Sequence, residues 1–157
     1  MADFSRAARR IAQECPALGI RKVSRMITRV YDAALRSLGL QSSQLSVLVA
    51  VAMFGENGAT ISALADRLVM DRTTLTRNVR PLEKAGLLRV SRSPEDARAR
   101  VLTLTRAGER MLEAAYPLWE EGQRRVRDSL GTARLDALRG QLSEVLEFAS
   151  SLGPGES

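Results

Sequence analysis

Residues Asp71 to Gly86 read Asp-Arg-Thr-Thr-Leu-Thr-Arg-Asn-Val-Arg-Pro-Leu-Glu-Lys-Ala-Gly, and this stretch decides the fold of the chain. At about 100° per residue, its apolar side chains form one narrow stripe of Leu75, Val79 and Leu82. The opposite side carries hydroxyl and cationic groups at helical spacing: Thr73, Arg77, Arg80 and Lys84. One face can pack into a core while the other offers hydrogen-bond donors to a polyanion. The pattern predicts a recognition helix.

Capping residues mark the ends of this helix and of the segment before it. The Asp71 carboxylate is suited to accept unpaired backbone N–H groups of the first turn, and Gly86 suits the left-handed residue that closes a helix. Thr60 is predicted to cap a shorter preceding helix. Pro81 deletes one backbone hydrogen bond, so we expect a bend there.

The flanking segments complete the predicted fold. Residues 87–92 and 100–104 alternate apolar and polar side chains around a polar loop, which predicts a β-hairpin. Apolar residues at helical spacing predict further helices on both sides, one capped by Ser42 or Ser43 and one by Thr105. The fold class is therefore predicted to be mainly α with a small β-hairpin wing, a winged helix-turn-helix domain between terminal helices.

The predicted division of the chain has four parts. These are an N-terminal helical dimerisation region (1–40), a winged helix-turn-helix DNA-binding domain (41–105), C-terminal dimerisation helices (106–152) and a disordered tail (153–157). The terminal helices are long and apolar on one side, and they cannot bury that side alone. A second copy of the chain, related by a two-fold axis, is the economical partner.

Positive charge is concentrated in the same part of the chain. The 157 residues carry a formal net charge of +6. Residues 71–110 hold ten Arg and Lys against five Asp and Glu, which leaves fourteen basic and thirteen acidic residues elsewhere. A charge needed only for solubility would be spread out, so this concentration indicates a polyanionic partner. An aromatic content of 4% argues against a protein that stacks single-stranded bases.

Missing or rare residue types exclude several classes of function. The absence of histidine removes Ser-His-Asp and Cys-His catalysis and imidazole zinc sites. Without a Gly-rich phosphate loop or paired acids in a credible cleft, we expect no enzyme activity, metal or cofactor. The single cysteine, Cys15, allows no intrachain disulfide, and the N-terminus has no signal-peptide core. The longest apolar run is about half a bilayer span, so a cytoplasmic protein without a membrane partner is expected.

Together these motifs resemble the MarR family of transcriptional regulators over nearly the whole chain. The resemblance is carried by the helix-turn-helix segments and the wing, which are Ile61–Leu68, Arg72–Arg77, Leu82–Leu88 and Asp96–Thr105, followed by Ala107-Gly108. The wing pattern is the most specific part, with Asp-x-Arg, three residues, and then alternating apolar residues that end in Leu-Thr. Two features depart from the family: the turn reads Val69-Met70 where a glycine is frequent, and Pro81 lies in a helix that many members leave unbroken.

The resemblance implies a homodimer that binds pseudo-palindromic operators on double-stranded DNA and is released by a small ligand or by oxidation. A repressor of this kind is our leading hypothesis. Two other functions compete with it. A sequence-indifferent architectural protein would bind random DNA equally well, and a winged helix used for protein docking would carry scattered charge, which the concentration of charge contradicts.

Candidate DNA-binding residues lie on the recognition helix and on the wing. On the helix they are Arg72, Thr73, Thr74, Thr76, Arg77 and Arg80, and on the wing they are Asp96, Arg98 and Arg100. The first half of the helix is expected in the major groove, where Arg77 could form a bidentate contact with guanine. Arg98, held by Asp96, is expected to enter the minor groove. Arg72 and Arg100, like Arg89 and Arg92, fit either phosphate contacts or solvated charges.

Cys15 leaves a redox function open. One branch of the family senses organic hydroperoxides through an N-terminal cysteine, and Arg21, Lys22 or a helix N-terminus could lower the pKa of this thiol. The second tyrosine associated with that branch is Leu45 here. We therefore favour a passive cysteine, with redox sensing through Cys15 as the alternative.

The effector site is left unassigned. An effector pocket between the terminal helices and the winged domain could be lined by Met26, Tyr31, Tyr116 and Trp119, although such residues more often belong to a core. Arg25 or Arg29 could anchor an acidic ligand. The expected effector is therefore a small aromatic or acidic molecule whose identity the residues do not select.

Overall fold

The computed structural model describes residues 2–93 and 99–151. The elements in these ranges are, in order, α1 (Ala2–Glu14), α2 (Pro16–Leu35), a 3₁₀ turn (Arg36–Leu38), α3 (Ser42–Met53), β1 (Ala59–Thr60), α4 (Ile61–Leu68), α5 (Arg72–Lys84), β2 (Leu88–Arg92), β3 (Arg100–Leu104), α6 (Arg106–Leu130) and α7 (Thr132–Ser151). The predicted class, mainly α with a small β wing, is confirmed. The predicted tail at 153–157 lies outside the described residues.

The small sheet has three strands in the described part of the chain, in the order β1-β3-β2, and all pair antiparallel. β2 and β3 form the predicted hairpin. β1 was not predicted, because two residues are too few to show an alternating pattern; it places Ala59 opposite Leu102. Gly58 precedes β1 with φ 69, and a Cβ there would lie 2.3 Å from the Leu102 carbonyl oxygen. Glycine at this position is what allows β1 to reach β3.

One hydrophobic core joins the sheet to the helices around it. Its largest fully buried side chains come from all of these layers: Leu35, Leu48, Leu64, Leu75, Leu82 and Leu102. The predicted stripe of Leu75, Val79 and Leu82 is buried, at 0%, 5% and 2% exposure. Leu35 of α2 and Ala115 of α6 belong to the same core, so the long helices are anchored in it. Burial of each leucine contributes about 1.5–3 kcal/mol.

Three of the predicted helix caps are confirmed. The side-chain oxygens of Thr60, Asp71 and Thr105 each accept the backbone N–H of the third residue of the following helix, at 3.1, 2.8 and 3.1 Å. Each contact satisfies one of the N–H groups that have no partner inside a helix. Gly86, the predicted left-handed residue after α5, has φ 70.

The start of α3 corrects the sequence prediction. Neither Ser42 nor Ser43 is the cap: the N-cap residue is Gln41, whose N–H donates to Gln44 Oε1 at 2.9 Å. The Ser42 N–H donates instead to Asp32 Oδ1 of α2 at 2.7 Å. A carboxylate from a different helix therefore satisfies the first N–H of α3, which has no partner within that helix.

α5 continues through Pro81 as one helix to Lys84. Proline has no N–H, so the Arg77 carbonyl loses its usual partner four residues on. Pro81 lies in the last turn of α5 and its side chain is exposed, so the ring does not displace the core. The helix is therefore not divided at this position.

The turn between α4 and α5 contains a strained residue. Val69 has φ 50 and ψ 47, in the left-handed region that a β-branched side chain rarely adopts. Its side chain is 79% exposed, so packing in this chain does not offset the strain. In this turn, where the MarR-type sequences often have a glycine, Val69 thus adopts a backbone conformation that glycine adopts more easily.

α2 and α6 pack closely along their length. A Cβ on Gly122 of α6 would lie 2.9 Å from Cδ1 of Tyr31, so the glycine makes room for that ring. The Tyr31 hydroxyl donates to Gln123 Oε1. Partial burial raises the pKa of Tyr31 above its ordinary value. Tyr31 therefore binds α6, while its neighbour Asp32 binds the start of α3.

The terminal helices leave apolar side chains exposed. α1 has no extensive contact with any other element of the described chain, and its Phe4 and Ile11 are 75% and 58% exposed. On α7, Val145 and Phe148 are 52% and 64% exposed.

Between residues 2 and 93 and between 99 and 151, none of the helices has the length and apolar character that crossing a bilayer requires.

Gly108 tests the packing of α6 against the sheet. A Cβ there would lie 2.2 Å from the Leu87 carbonyl oxygen, so Gly108→Ala should lower the free energy of unfolding by about 2–3 kcal/mol. The matched control is Gly140→Ala in α7, where a Cβ would meet nothing within 4 Å. That change should raise the free energy of unfolding by about 0.5–1 kcal/mol through helix propensity. Urea unfolding followed by circular dichroism measures both, and equal effects would contradict the close packing at Gly108.

Val69 provides a second test of the fold. Val69→Gly should raise the free energy of unfolding by about 1 kcal/mol, because glycine adopts the left-handed region without steric cost. Val69→Ala keeps a Cβ and should gain less. Thermal and urea unfolding of the two variants measure the difference, and a destabilised glycine variant would disprove the strain at this turn.

Candidate nucleic-acid interface

The polar face of α5 is turned to solvent. All five residues of this face are exposed: Arg72, Thr73, Arg77, Arg80 and Lys84. The apolar stripe of Leu75, Val79 and Leu82 on the other side is buried. The separation of a core face from a cationic face, which the sequence predicts, is therefore present in the folded chain. Such a helix can be anchored on one side and still present donors to a partner on the other.

The first turn of α5 is organised around Asp71. Its Oδ1 accepts the Thr74 N–H at 2.8 Å, and its Oδ2 accepts the Thr74 hydroxyl at 2.6 Å. These hydrogen bonds from Thr74 hold the pKa of the Asp71 carboxyl below its ordinary value, because they stabilise the charged form. The Thr74 hydroxyl is thus part of the cap, and a DNA contact through it would have to replace this hydrogen bond.

Two further side chains of α5 bond to their own helix. The Thr76 hydroxyl donates to the Arg72 carbonyl at 2.7 Å, and Asn78 Nδ2 donates to the Thr74 carbonyl at 3.0 Å. Thr76 is half-buried and keeps only lone pairs for a partner. The side-chain donors that remain uncommitted on this helix therefore include those of Thr73, the arginines and Lys84.

A groove of about 290 Å³ runs along the exposed face. It is lined by Arg72, Thr73, Thr76, Arg77 and Arg80, which are five of the six residues predicted on the recognition helix. The side chains of Arg77 and Arg80 make no hydrogen bond or ion pair with any other described residue. Their guanidinium groups are therefore available to an external acceptor.

A second cavity, of about 320 Å³, lies where α4, α5 and the wing meet. Its lining residues are Thr60, Ile61, Ser62, Arg72, Thr76, Ala99 and Arg100. Arg72 Nη2 donates to Ser62 Oγ at 2.9 Å, which ties the first residue of α5 to the first turn of α4. Ser62 was not predicted as a site residue, because this contact joins positions ten residues apart and no local motif marks it.

The wing adds arginines beside this cavity. Arg92 and Arg100 are opposite one another in the β2–β3 register, and both are exposed. Neither forms an ion pair with a described acidic residue. Two like charges in directly opposed strand positions repel one another, so an anion between them would be stabilising. The predicted wing residues Asp96 and Arg98 lie outside the described residues.

The residues considered for an effector do not all meet in one place. Tyr116 and Trp119 stack on α6 with ring centroids 6.0 Å apart, and both are exposed. The Tyr116 hydroxyl donates to Glu120, whose carboxylate raises the pKa of this tyrosine. Tyr31 packs against Gly122 instead. Met26 is exposed as well, at 60%, so a ligand could reach Met26 and the Tyr116–Trp119 stack.

Cys15 lies between α1 and α2 as the N-cap residue of α2. It is partly buried, and its side chain makes no capping hydrogen bond. Across the described residues, no three Cys, Asp or Glu side chains lie close enough together to hold a metal ion. The passive role of Cys15 stays a prediction.

Comparisons with known proteins agree with this geometry. A family model described as the MarR family matches residues 38–99. The transcriptional regulator MosR of M. tuberculosis is 31% identical, with 89% of this chain and 98% of that chain covered and a TM-score of 0.77. A structure of MosR in complex with DNA is 33% identical, with 90% and 100% covered and a TM-score of 0.77.

A mutant MarR from E. coli complexed with operator DNA shares the fold at 22% identity, with 87% of this chain and 97% of that chain covered and a TM-score of 0.77. No curated protein matches the chain. The proteins that it resembles are transcriptional regulators and not enzymes. The leucine-anchored cationic helix, the wing and the likeness to MosR lead to one conclusion: this chain belongs to the MarR family of DNA-binding transcriptional regulators.

Proposed function

We propose that the protein is a repressor that binds a pseudo-palindromic operator as a homodimer and is released by a small-molecule effector. The observation that carries the proposal is the groove along α5, where three arginines and two threonines line one exposed surface. Arginine in such a position can donate two hydrogen bonds to the major-groove edge of guanine. A regulator must reach the genome, which supports our prediction of a cytoplasmic protein.

The proposed docking places the first half of α5 in the major groove. The side chains of Thr73 and Arg77 in this half, and of Arg80 just beyond it, face outward without partners in the described chain, so we assign them to the DNA. Arg77 is the proposed reader of a base. At the wing we propose that Arg98, held by Asp96, enters the minor groove and that Arg100 lies beside the backbone.

The proposal of a homodimer is supported by the exposed apolar side chains of α1 and α7. Residues such as Phe4, Ile11, Val145 and Phe148 are more than half exposed in the single chain. An exposed apolar surface of this kind is commonly an interface. Two copies related by a two-fold axis would present two α5 helices, with half-sites about one helical turn apart.

The proposal of an effector is supported by the exposed Tyr116–Trp119 stack on α6. Stacked aromatic rings of this kind can hold a planar ligand, and Arg25 or Arg29 would pair with an acidic group on it. A ligand that binds one dimer geometry more tightly than another shifts the spacing of the two α5 helices, and that shift would release the operator.

Arg77→Ala tests the proposed base contact. Binding to an operator selected from genomic fragments should weaken by about 1–3 kcal/mol, and specificity should relax at one base pair. Fluorescence anisotropy with the operator and with a random duplex of equal length measures both effects. Lys84→Ala is the control, because it removes a charge from the last turn of the same face. Any loss in the control should be equal on the two duplexes.

The same titrations separate the repressor from its competitor. An equal loss on both duplexes with Arg77→Ala would identify a phosphate contact and contradict the base contact. Equal binding of the unchanged protein to operator and random DNA would favour a sequence-indifferent architectural protein over a repressor.

Val145→Glu tests the homodimer. A charge in the exposed apolar face of α7 should convert a particle of twice the 17.2 kDa chain mass into a monomer in sedimentation equilibrium, and operator affinity should fall with it. Ser143→Glu adds the same charge about 200° away around α7 and should leave the dimer intact. A dimer that survives Val145→Glu while Ser143→Glu disrupts it would place the interface on the other face of α7.

A further inference from the structure

We infer that the cavity between α4, α5 and the wing binds a phosphate group of the DNA backbone, and that Ser62 positions Arg72 for it. The inference rests on the proposed DNA-binding function and deepens it. It divides the interface into a base-reading groove on α5 and an adjoining phosphate-binding cavity, which we call the Arg72–Arg100 cavity. Thr60, Ser62, Arg72, Thr76 and Arg100 are among the residues that line it.

Arg72 is held in one orientation by a contact with α4. Its Nη2 donates to Ser62 Oγ at 2.9 Å, so the guanidinium is held between two helices although the residue is exposed. An arginine uses one of its five N–H groups in this way and keeps the others for a ligand. Because the side chain is already ordered, little conformational entropy is lost when an anion binds.

The described lining of the cavity is positively charged. Among the residues that the structure describes, it contains two arginines and no acidic side chain. Arg100 is opposite Arg92 in the strand register, and no described acidic side chain pairs with either of them. The nearest carboxylate in sequence, Asp71, is engaged by both the N–H and the hydroxyl of Thr74. An anion therefore meets positive charge in this cavity that no acidic side chain of residues 2–93 and 99–151 pairs with.

Donors predominate among the groups that line the cavity. The Thr76 hydroxyl donates to the Arg72 carbonyl and keeps only lone pairs, whereas the Thr60 hydroxyl accepts the Ala63 N–H and keeps its O–H as a donor. The other donors are two guanidinium groups and the first N–H groups of α4, at Ile61 and Ser62, which have no acceptor within the helix. A site in which charged donors predominate matches a phosphate oxygen.

The cavity lies where a winged helix meets the DNA backbone. When the recognition helix lies in the major groove, the preceding helix crosses the sugar-phosphate backbone. The Arg72–Arg100 cavity opens between that preceding helix, α4, and the wing strand β3, at one end of the base-reading groove. Arg72 lines both, so it lies at the boundary where a phosphate borders the bases.

The test is salt-dependent binding of the full chain to the selected operator and to a random duplex, measured by anisotropy. Arg72→Ala should weaken binding about tenfold on both duplexes and lower the slope of log affinity against log salt by about 0.9, the value for one lost phosphate contact. Ser62→Ala keeps the charge, so it should weaken binding about threefold on both duplexes with an unchanged slope. Arg139→Ala, which removes a charge from α7, should behave as the unchanged protein.

Two conservative variants separate positioning from a merely structural role. Ser62→Thr retains the hydroxyl and should restore binding, whereas Arg72→Lys retains the charge and the slope but loses the fork geometry and should bind weakly. Thermal unfolding of each variant confirms that it is folded. Ser62→Ala binding as tightly as the unchanged protein would disprove the positioning role, and a loss with Arg72→Ala confined to the operator would disprove the phosphate contact.

Other outcomes distinguish the source of the phosphate and the function itself. Calorimetric titration with inorganic phosphate alone should give no saturable binding; saturable binding lost in Arg72→Ala would assign the cavity to a free phosphate and overturn the backbone assignment. If Arg77→Ala abolishes operator specificity while Arg72→Ala and Ser62→Ala change nothing, this inference fails and the proposed function stands. If the unchanged protein binds neither duplex, the proposed function fails.

Discussion

Burial of Leu75, Val79 and Leu82 in the core fixes the rotation of α5 about its own axis, and the whole interface depends on that rotation. A turn of the helix by one residue, about 100°, would drive a charged side chain toward the core, at a cost that no local hydrogen bond could offset. Arg77 and Arg80 face outward because the stripe faces inward. The cavity at the start of α5 depends on the same constraint, since it needs Arg72 on the side of α4.

The sequence predicted those helices, caps and strands whose contacts join residues close together in the chain. Thr60, Asp71 and Thr105 cap the helices that follow them, because a side-chain oxygen at the N-cap position needs only the third residue of its own helix as a partner. The stripe on α5 was also predictable, since helical periodicity is written in consecutive residues. The wing hairpin followed from alternation in the same way.

Contacts between distant segments escaped prediction. Serine is a frequent N-cap residue, yet Ser42 is the first helical residue of α3: Gln41 is the N-cap, and Asp32 of α2 accepts the Ser42 N–H. β1 exists only because β3 pairs with it, and two residues carry no pattern of their own. In the interface, Ser62 acquires its role through a tertiary contact with Arg72. The predicted DNA contacts of Asp96 and Arg98 stay predictions.

Two consecutive side chains of α2 have different partners, and this arrangement has a mechanical consequence. Tyr31 bonds to Gln123 in α6, while Asp32 bonds to the N–H of Ser42 at the start of α3. Neighbouring side chains of a helix point about 100° apart, so both hydrogen bonds can form only at one rotation of α2 about its axis. A small twist of α2 would stretch at least one of them. A movement of α2 relative to α6 would therefore also move the start of α3, and α3 packs against α5.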